Sequence, residues 1–114
     1  MSTRGTISAV MNDGSVVKVY SHYDGYIKGG VGEALFRHYN TLDEMEDLLQ
    51  GEVRCMDYSD GGFEHFSDGG NEIFEDLDRY FEDCYFHDYN YLFKDGEWFV
   101  DGEKLKTYFI KELV

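Results

Sequence analysis

Arg4-Gly5-Thr6-Ile7-Ser8-Ala9-Val10 and Ser15-Val16-Val17-Lys18-Val19-Tyr20-Ser21-His22 flank Asn12-Asp13-Gly14. Both arms are rich in residues that fit a pleated, half-buried surface, and Asp-Gly is a strong hairpin turn signal. In the second arm Val17, Val19 and Ser21 fall on one side, with Val16, Lys18 and Tyr20 on the other. That is the period of a strand. The stretch predicts an N-terminal β-hairpin, to which the other elements must attach.

A glycine-punctuated loop follows, and then residues 31–39 place Val31, Ala34, Leu35, His38 and Tyr39 on one helical stripe. Thr41 with Glu44 three positions later is a capping-box pattern. It predicts a second helix over residues 42–50, with Leu42, Met45 and Leu49 inward. Residues 52–58 suit a short strand. Over residues 72–83, Ile73, Phe74, Leu77, Tyr80 and Phe81 make an apolar stripe roughly 120° wide at 100° per residue. This predicts a helix with those five side chains in the core. Residues 85–93 alternate as a strand, Lys94-Asp95-Gly96 turns it, and residues 97–100 return. Leu105, Tyr108, Phe109 and Leu113 suit a short C-terminal helix, although residues 107–110 would also fit a strand. The expected fold is α+β: a small antiparallel sheet of N-terminal and C-terminal hairpins packed with two to four helices, in a single domain over residues 1–114.

Composition narrows the function classes. The 114 residues carry 24 Asp and Glu against 10 Lys and Arg, a net charge of −14. Such a chain repels nucleic acid and anionic membranes and attracts basic surfaces. Phosphate neutralisation needs clustered Lys and Arg, and here they are scattered, so direct nucleic-acid binding is disfavoured. The aromatic content of 18% argues for a packed core in spite of the charge. No apolar run approaches the roughly 20 residues of a membrane span, and the N-terminus has no apolar signal segment. Cys55 and Cys84 have no C-x-x-C spacing and are expected as reduced thiols in a cytoplasmic protein.

Residues 57–91 hold eleven carboxylates against one arginine, Arg79. Within them Ser59-Asp60-Gly61-Gly62-Phe63-Glu64-His65-Phe66 is followed directly by Ser67-Asp68-Gly69-Gly70-Asn71-Glu72-Ile73-Phe74, a tandem repeat of acidic turns. Asp57, Asp60, Glu64, Asp68, Glu72, Glu75, Asp76, Asp78, Glu82 and Asp83 are the candidate partner-binding residues. Their excess lacks the Glu–Lys pairs of an ordinary solvated helix. The repeat lacks the ligand spacing of a calcium loop, and no His or Cys spacing suggests zinc, so neither a metal nor another cofactor is expected. No G-x-S-x-G occurs, and an exposed carboxylate lacks the desolvation that tunes a catalytic acid. No catalytic residue is assigned. The Tyr20–Gly32 loop, rich in Tyr and Gly and preceding a helix, is the alternative site, for a protein that binds or sequesters a small molecule or nucleotide, or for a minor enzyme.

Short pieces at the two ends resemble a known family. Met1-Ser2-Thr3-Arg4 with Ile7, His22-Tyr23-Asp24-Gly25-Tyr26, Val31-Gly32, Leu35 and His38-Tyr39 are similar to the N-terminal pattern of a family of short bacteriophage and mobile-element proteins without an assigned activity. Tyr89-Asn90-Tyr91-Leu92-Phe93 and Asp95-Gly96-Glu97-Trp98 resemble that family's C-terminal pattern. Ile27 departs from it, standing where the family tends to have proline, and the acidic repeat is not a feature associated with the family. The resemblance implies a phage-like context inside a bacterium and carries over no site residues. Together with the charge, it leads to the expectation of a non-enzymatic inhibitor that occludes a basic, nucleic-acid-binding surface of a host defence complex, such as a CRISPR or restriction system, by DNA mimicry.

Overall fold

The computed structural model describes residues 4–22, 25–56, 58–65, 70–83 and 88–109, with only the backbone of Cys55 and Asp83. Strand β1 (Gly5–Val10) and β2 (Val16–Ser21) form the expected hairpin, in register from Gly5↔Ser21 to Val10↔Val16. Its turn is locked by Asp13, whose Oδ1 accepts from the Ser15 N–H at 2.9 Å and its hydroxyl at 2.6 Å. Those bonds hold the Asp13 carboxyl below its usual range. Helix α1 (Val31–His38) follows, then a 3-10 turn (Leu48–Gln50), β3 (Val53–Met56), β4 (Phe63–His65), β5 (Glu72–Phe74), α2 (Leu77–Asp83), β6 (Tyr89–Lys94), β7 (Glu97–Val100) and β8 (Glu103–Lys104). Residues 107–109 are helical.

The α+β class is as expected, but the sheet is mixed. Its order is β4-β3-β2-β1-β6-β7-β8, with β5 added on β2. Each hairpin is antiparallel within itself, whereas β1 and β6 meet in parallel, from Gly5↔Tyr89 to Ala9↔Phe93. Turn chemistry specifies only neighbours along the chain, so this seam lay beyond a local reading. It requires a close approach at Gly5, where an added Cβ would stand 2.7 Å from the Tyr89 carbonyl oxygen.

The central strand is buried from Gly5 to Ala9 because both sheet faces are covered. Ile7, Val19, Tyr91 and Val100 pack under Val31 and Leu35 of α1 and under Met45 and Leu48. On the opposite face Val16 and Leu92 pack with Phe74 and Tyr80. Trp98 donates its indole N–H to the Tyr39 carbonyl at 2.6 Å, satisfying an orphan acceptor at the end of α1. Tyr91 is fully buried, and its hydroxyl donates to the Gly25 carbonyl at 2.6 Å.

Two expected helices are corrected. Over residues 42–50 the capping-box bonds do form: the Glu44 N–H reaches Thr41 Oγ1 at 3.2 Å, and Glu44 Oε1 accepts from the Asn40 N–H at 3.1 Å. Irregular turns and the 3-10 segment follow instead of an α-helix. Asp43, Glu44, Glu46 and Asp47 crowd one short run without a base, and like charges three and four apart oppose a helix. Met45 and Leu49 are nevertheless buried, and Leu42 is half-buried. Over residues 72–83, a strand comes first. Phe74 pairs with Val16 and Ile73 with Val17, and α2 begins only after Asp76. The Asp76 carboxylate accepts the Arg79 N–H at 2.9 Å, the geometry of an N-cap. The predicted stripe is therefore split: Phe74 and Tyr80 are buried and Leu77 half-buried, while Ile73 is 67% and Phe81 59% exposed. The expected strand over residues 85–93 begins at Tyr89 among the described residues; residues 84–87 lie outside them.

Gly5→Ala is expected to lower unfolding free energy by about 1–3 kcal/mol, the cost of overpacking a close backbone contact. Gly70→Ala, with open space around its Cβ, should stay within about 0.5 kcal/mol. Urea denaturation of the two variants makes the comparison. Burial pushes the Tyr91 hydroxyl above its usual 10.0, so its contribution is intact below pH 10 and drains away as pH rises beyond. Tyr91→Phe should cost about 1 kcal/mol at neutral pH and flatten the loss of stability above pH 10, as read from denaturation midpoints between pH 7 and 11.

Candidate functional site

The acidic residues are sorted by what their carboxylates already hold. Asp60 Oδ1 accepts the Gly62 N–H at 2.7 Å, closing the first Asp-Gly-Gly turn; Gly61 within it has φ +77. Asp76 caps α2. Glu72 sits on β5 rather than on a helix, and its Oε1 lies 3.3 Å from Lys18 Nζ. The Lys18 side chain is only 5% exposed, so Glu72 serves a buried cation. Glu64 on β4, Glu75 before α2, and Asp78 and Glu82 on α2 are exposed. Asp57 and Asp68 lie outside the described residues, as does the Asp83 side chain.

These groups do not form one patch. Helix α2 covers the face that holds Val16 and Leu92, whereas Met45 and Leu48 pack on the opposite face with Ile7. Near that second location β4 is tied to the 43–52 segment. His65 Nε2 lies 2.9 Å from the Asp47 carbonyl and Nδ1 3.3 Å from the Glu52 carbonyl. Asn71 Nδ2 donates to the Leu49 carbonyl at 2.8 Å. Asp43, Glu44, Glu46 and Asp47, all exposed, lie in the segment that His65 ties to β4, the strand that carries the exposed Glu64. The candidate set omitted these four, although four carboxylates in five residues were a visible signal. The molecule thus has two acidic surfaces, one around residues 43–47 and β4 and one on α2. Glu82 and Asp83 end α2, where the helix dipole favours cations instead.

The Tyr20–Gly32 loop turns its donors inward. The Gly32 N–H bonds the Tyr26 carbonyl and the Ala34 N–H the Gly30 carbonyl. Glu33 Oε1 accepts the Gly29 N–H at 3.1 Å, and Glu33 Oε2 meets Arg37 Nε at 2.9 Å. A carboxylate of the chain itself therefore holds the Gly29 N–H just before the start of α1; Tyr23 and Asp24 lie outside the described residues. His22 and His38 are in structural hydrogen bonds: His22 Nε2 with Glu52 Oε2 at 2.8 Å, His38 Nε2 with the Tyr58 carbonyl at 3.2 Å; His87 lies outside the described residues. Among the described residues no group of three or more His, Cys, Asp and Glu could hold a metal ion. No helix there is long and apolar enough to cross a membrane.

The sequence reading also missed a groove of about 590 Å³ between α2 and the β6–β7 pair. Leu92 and Phe99, cross-strand partners, form its floor, and Tyr80 and Phe81 form a wall. Asn90 and Asp101 lie toward one end of the strand pair, Lys94 toward the other. The alternation over residues 85–93 places Asn90 and Leu92 on one side, and the structure extends that side to Lys94, read from sequence as a turn residue; what the alternation could not supply was the layer opposite.

Compared with protein-family models, curated proteins and solved structures, the chain finds no match.

Glu72→Gln should cost about 1 kcal/mol, a buried-pair penalty reduced by the solvent exposure of the carboxylate. Glu75→Gln should fall within about 0.5 kcal/mol. Equal effects in paired thermal and urea unfolding would contradict the structural role given to Glu72.

Proposed function

We propose that the protein is a non-enzymatic inhibitor that docks on a basic, nucleic-acid-binding surface of another protein and occludes it. The observation that carries this reading is the set of exposed carboxylates: Glu75, Asp78 and Glu82 at α2, with Glu64, Asp43, Glu44, Glu46 and Asp47 on the other side of the sheet's margin. A duplex carries one negative charge per about 1.7 Å of its axis, and surfaces of this kind offer carboxylates to the same arginines and lysines. The division into two acidic surfaces favours a partner that meets the molecule on more than one side, as a channel or cleft does. The ends of the chain, similar to phage and mobile-element proteins, favour a host defence complex as the target and the bacterial cytoplasm as the place.

The test uses immobilised protein exposed to bacterial lysate at low salt. Retained proteins should be nucleic-acid binders, released by salt because exposed charges are screened over about 8 Å at physiological ionic strength, and displaced by duplex DNA. The combined variant Glu75→Lys, Asp78→Lys, Glu82→Lys should keep its fold by circular dichroism and lose most of this retention. Retention that survives the triple reversal, or that ignores both salt and duplex, would sink the mimicry reading.

A further inference from the structure

We infer that the groove between α2 and the β6–β7 pair receives an arginine side chain of the protein partner. The inference rests on the function proposed above and names the contact that would anchor it.

At about 590 Å³ the groove is within the range of sites that enclose small groups. Phe81 stands at its edge 59% exposed, on the same short helix as the exposed Asp78 and Glu82. Phe81 lines the groove together with Leu92 and Phe99, and a contiguous apolar surface, not a single exposed side chain, is the informative kind; aromatic anchors ringed by polar groups dominate protein interfaces. The polar end is built rather than incidental. The Asp101 N–H donates to the Asn90 carbonyl at 3.0 Å. Asp101 Oδ1 accepts from Asn90 Nδ2 at 2.8 Å. Asn90 Oδ1 in turn accepts from the buried Thr6 hydroxyl at 3.1 Å. The carboxylate is thus held in place before any ligand arrives. Lys94 lies four residues along β6 from Asn90, roughly 13 Å away at the rise of a strand, and makes no ion pair among the described residues.

An occupant must bring positive charge to Asp101, a flat or apolar body to the aromatic wall and floor, and no cation to Lys94. Arginine meets all three demands. Its planar guanidinium forks onto carboxylates and stacks on aromatic faces, and its methylenes cover apolar surface. Lysine brings the charge without the flat face. The net charge of −14 draws cationic groups toward the molecule. An anionic ligand would have to approach Lys94 against that field.

The experiment titrates isotopically labelled protein with acetyl-Gly-Arg-Gly-amide, its lysine and citrulline counterparts, and a mononucleotide, followed by NMR. The arginine peptide should shift Phe81, Leu92, Phe99 and Asp101 signals saturably. Lysine should bind about fivefold more weakly, the share of the stacking contact, and citrulline should not saturate. Asp101→Asn keeps the backbone, since asparagine tolerates the positive φ of 48 there, and should weaken the arginine peptide at least about fivefold. Phe81→Ala should do the same, and Gly70→Ala, outside both the groove and the acidic set, should change nothing. Equal arginine and lysine affinities, shifts confined to exposed carboxylates outside the groove, stronger binding of the mononucleotide, or no binding would each overturn the inference. If the groove fails while the triple reversal still abolishes partner retention, the acidic-surface reading stands without it. If the groove binds arginine while retention ignores the reversal, the acidic-surface reading fails and the groove remains.

Discussion

The parallel contact between β1 and β6 is the constraint on which the rest of the structure depends. It joins two hairpins more than eighty residues apart in sequence and turns two short ribbons, each marginal in water, into one sheet. Everything that covers the sheet presupposes this contact. Tyr91 reaches the Gly25 carbonyl only because β6 lies against β1. Leu92 meets Val16 and Tyr80 only across the same seam. Gly5 matters for the same reason: the Tyr89 carbonyl sits where any larger residue would place its Cβ.

Much of this was legible in the sequence, and the remainder has identifiable causes. The first hairpin was readable because Asp13-Gly14 and the β-forming residues on either side of it act within a few residues. Helix α1 was readable from the spacing of Val31, Ala34 and Leu35. The misreading of residues 72–83 has one source. Ile73, Phe74, Leu77, Tyr80 and Phe81 satisfy a helical wheel, yet Asp76 in their midst is a cap. Ile73 and Phe74 complete a strand because the Val16–Lys18 stretch of β2 offers an edge, and no local pattern reports a vacant edge. Lys18 was placed on the strand side opposite Val17 and Val19, and the structure keeps it there, buried, because Glu72 comes to it from β5. The acidic candidates were legible as composition. Their division between capping, turn closure and pairing was not, since each duty depends on a partner: an adjacent backbone N–H for Asp60 and Asp76, a distant lysine for Glu72.

The two covering layers give the sheet faces different characters. Aliphatic and aromatic side chains from α1 and the 3-10 turn fill one side closely, around Leu35, Met45 and Trp98. The other side holds a smaller cluster of Val16, Phe74, Tyr80 and Leu92, beside which an open groove remains. Charge follows the same division. On the first side carboxylates lie in the segment held by a histidine clasp, and on the second they ride on a two-turn helix whose dipole favours Asp78 in its first turn and opposes Glu82 and Asp83 at its end. The helix is held by the Asp76 cap and by Tyr80 packing beneath it.

The sheet ends in very short strands. β4 has three residues and β8 two, and they expose Glu64 and His65 at one margin and Glu103 and Lys104 at the other. Such margins give a second chain little ladder to copy and place charge where its backbone would have to dock. Growth of the sheet by addition of further copies is thereby discouraged at both ends. The ladder is finished within the molecule, and association is left to side chains: the carboxylates and the aromatic groove.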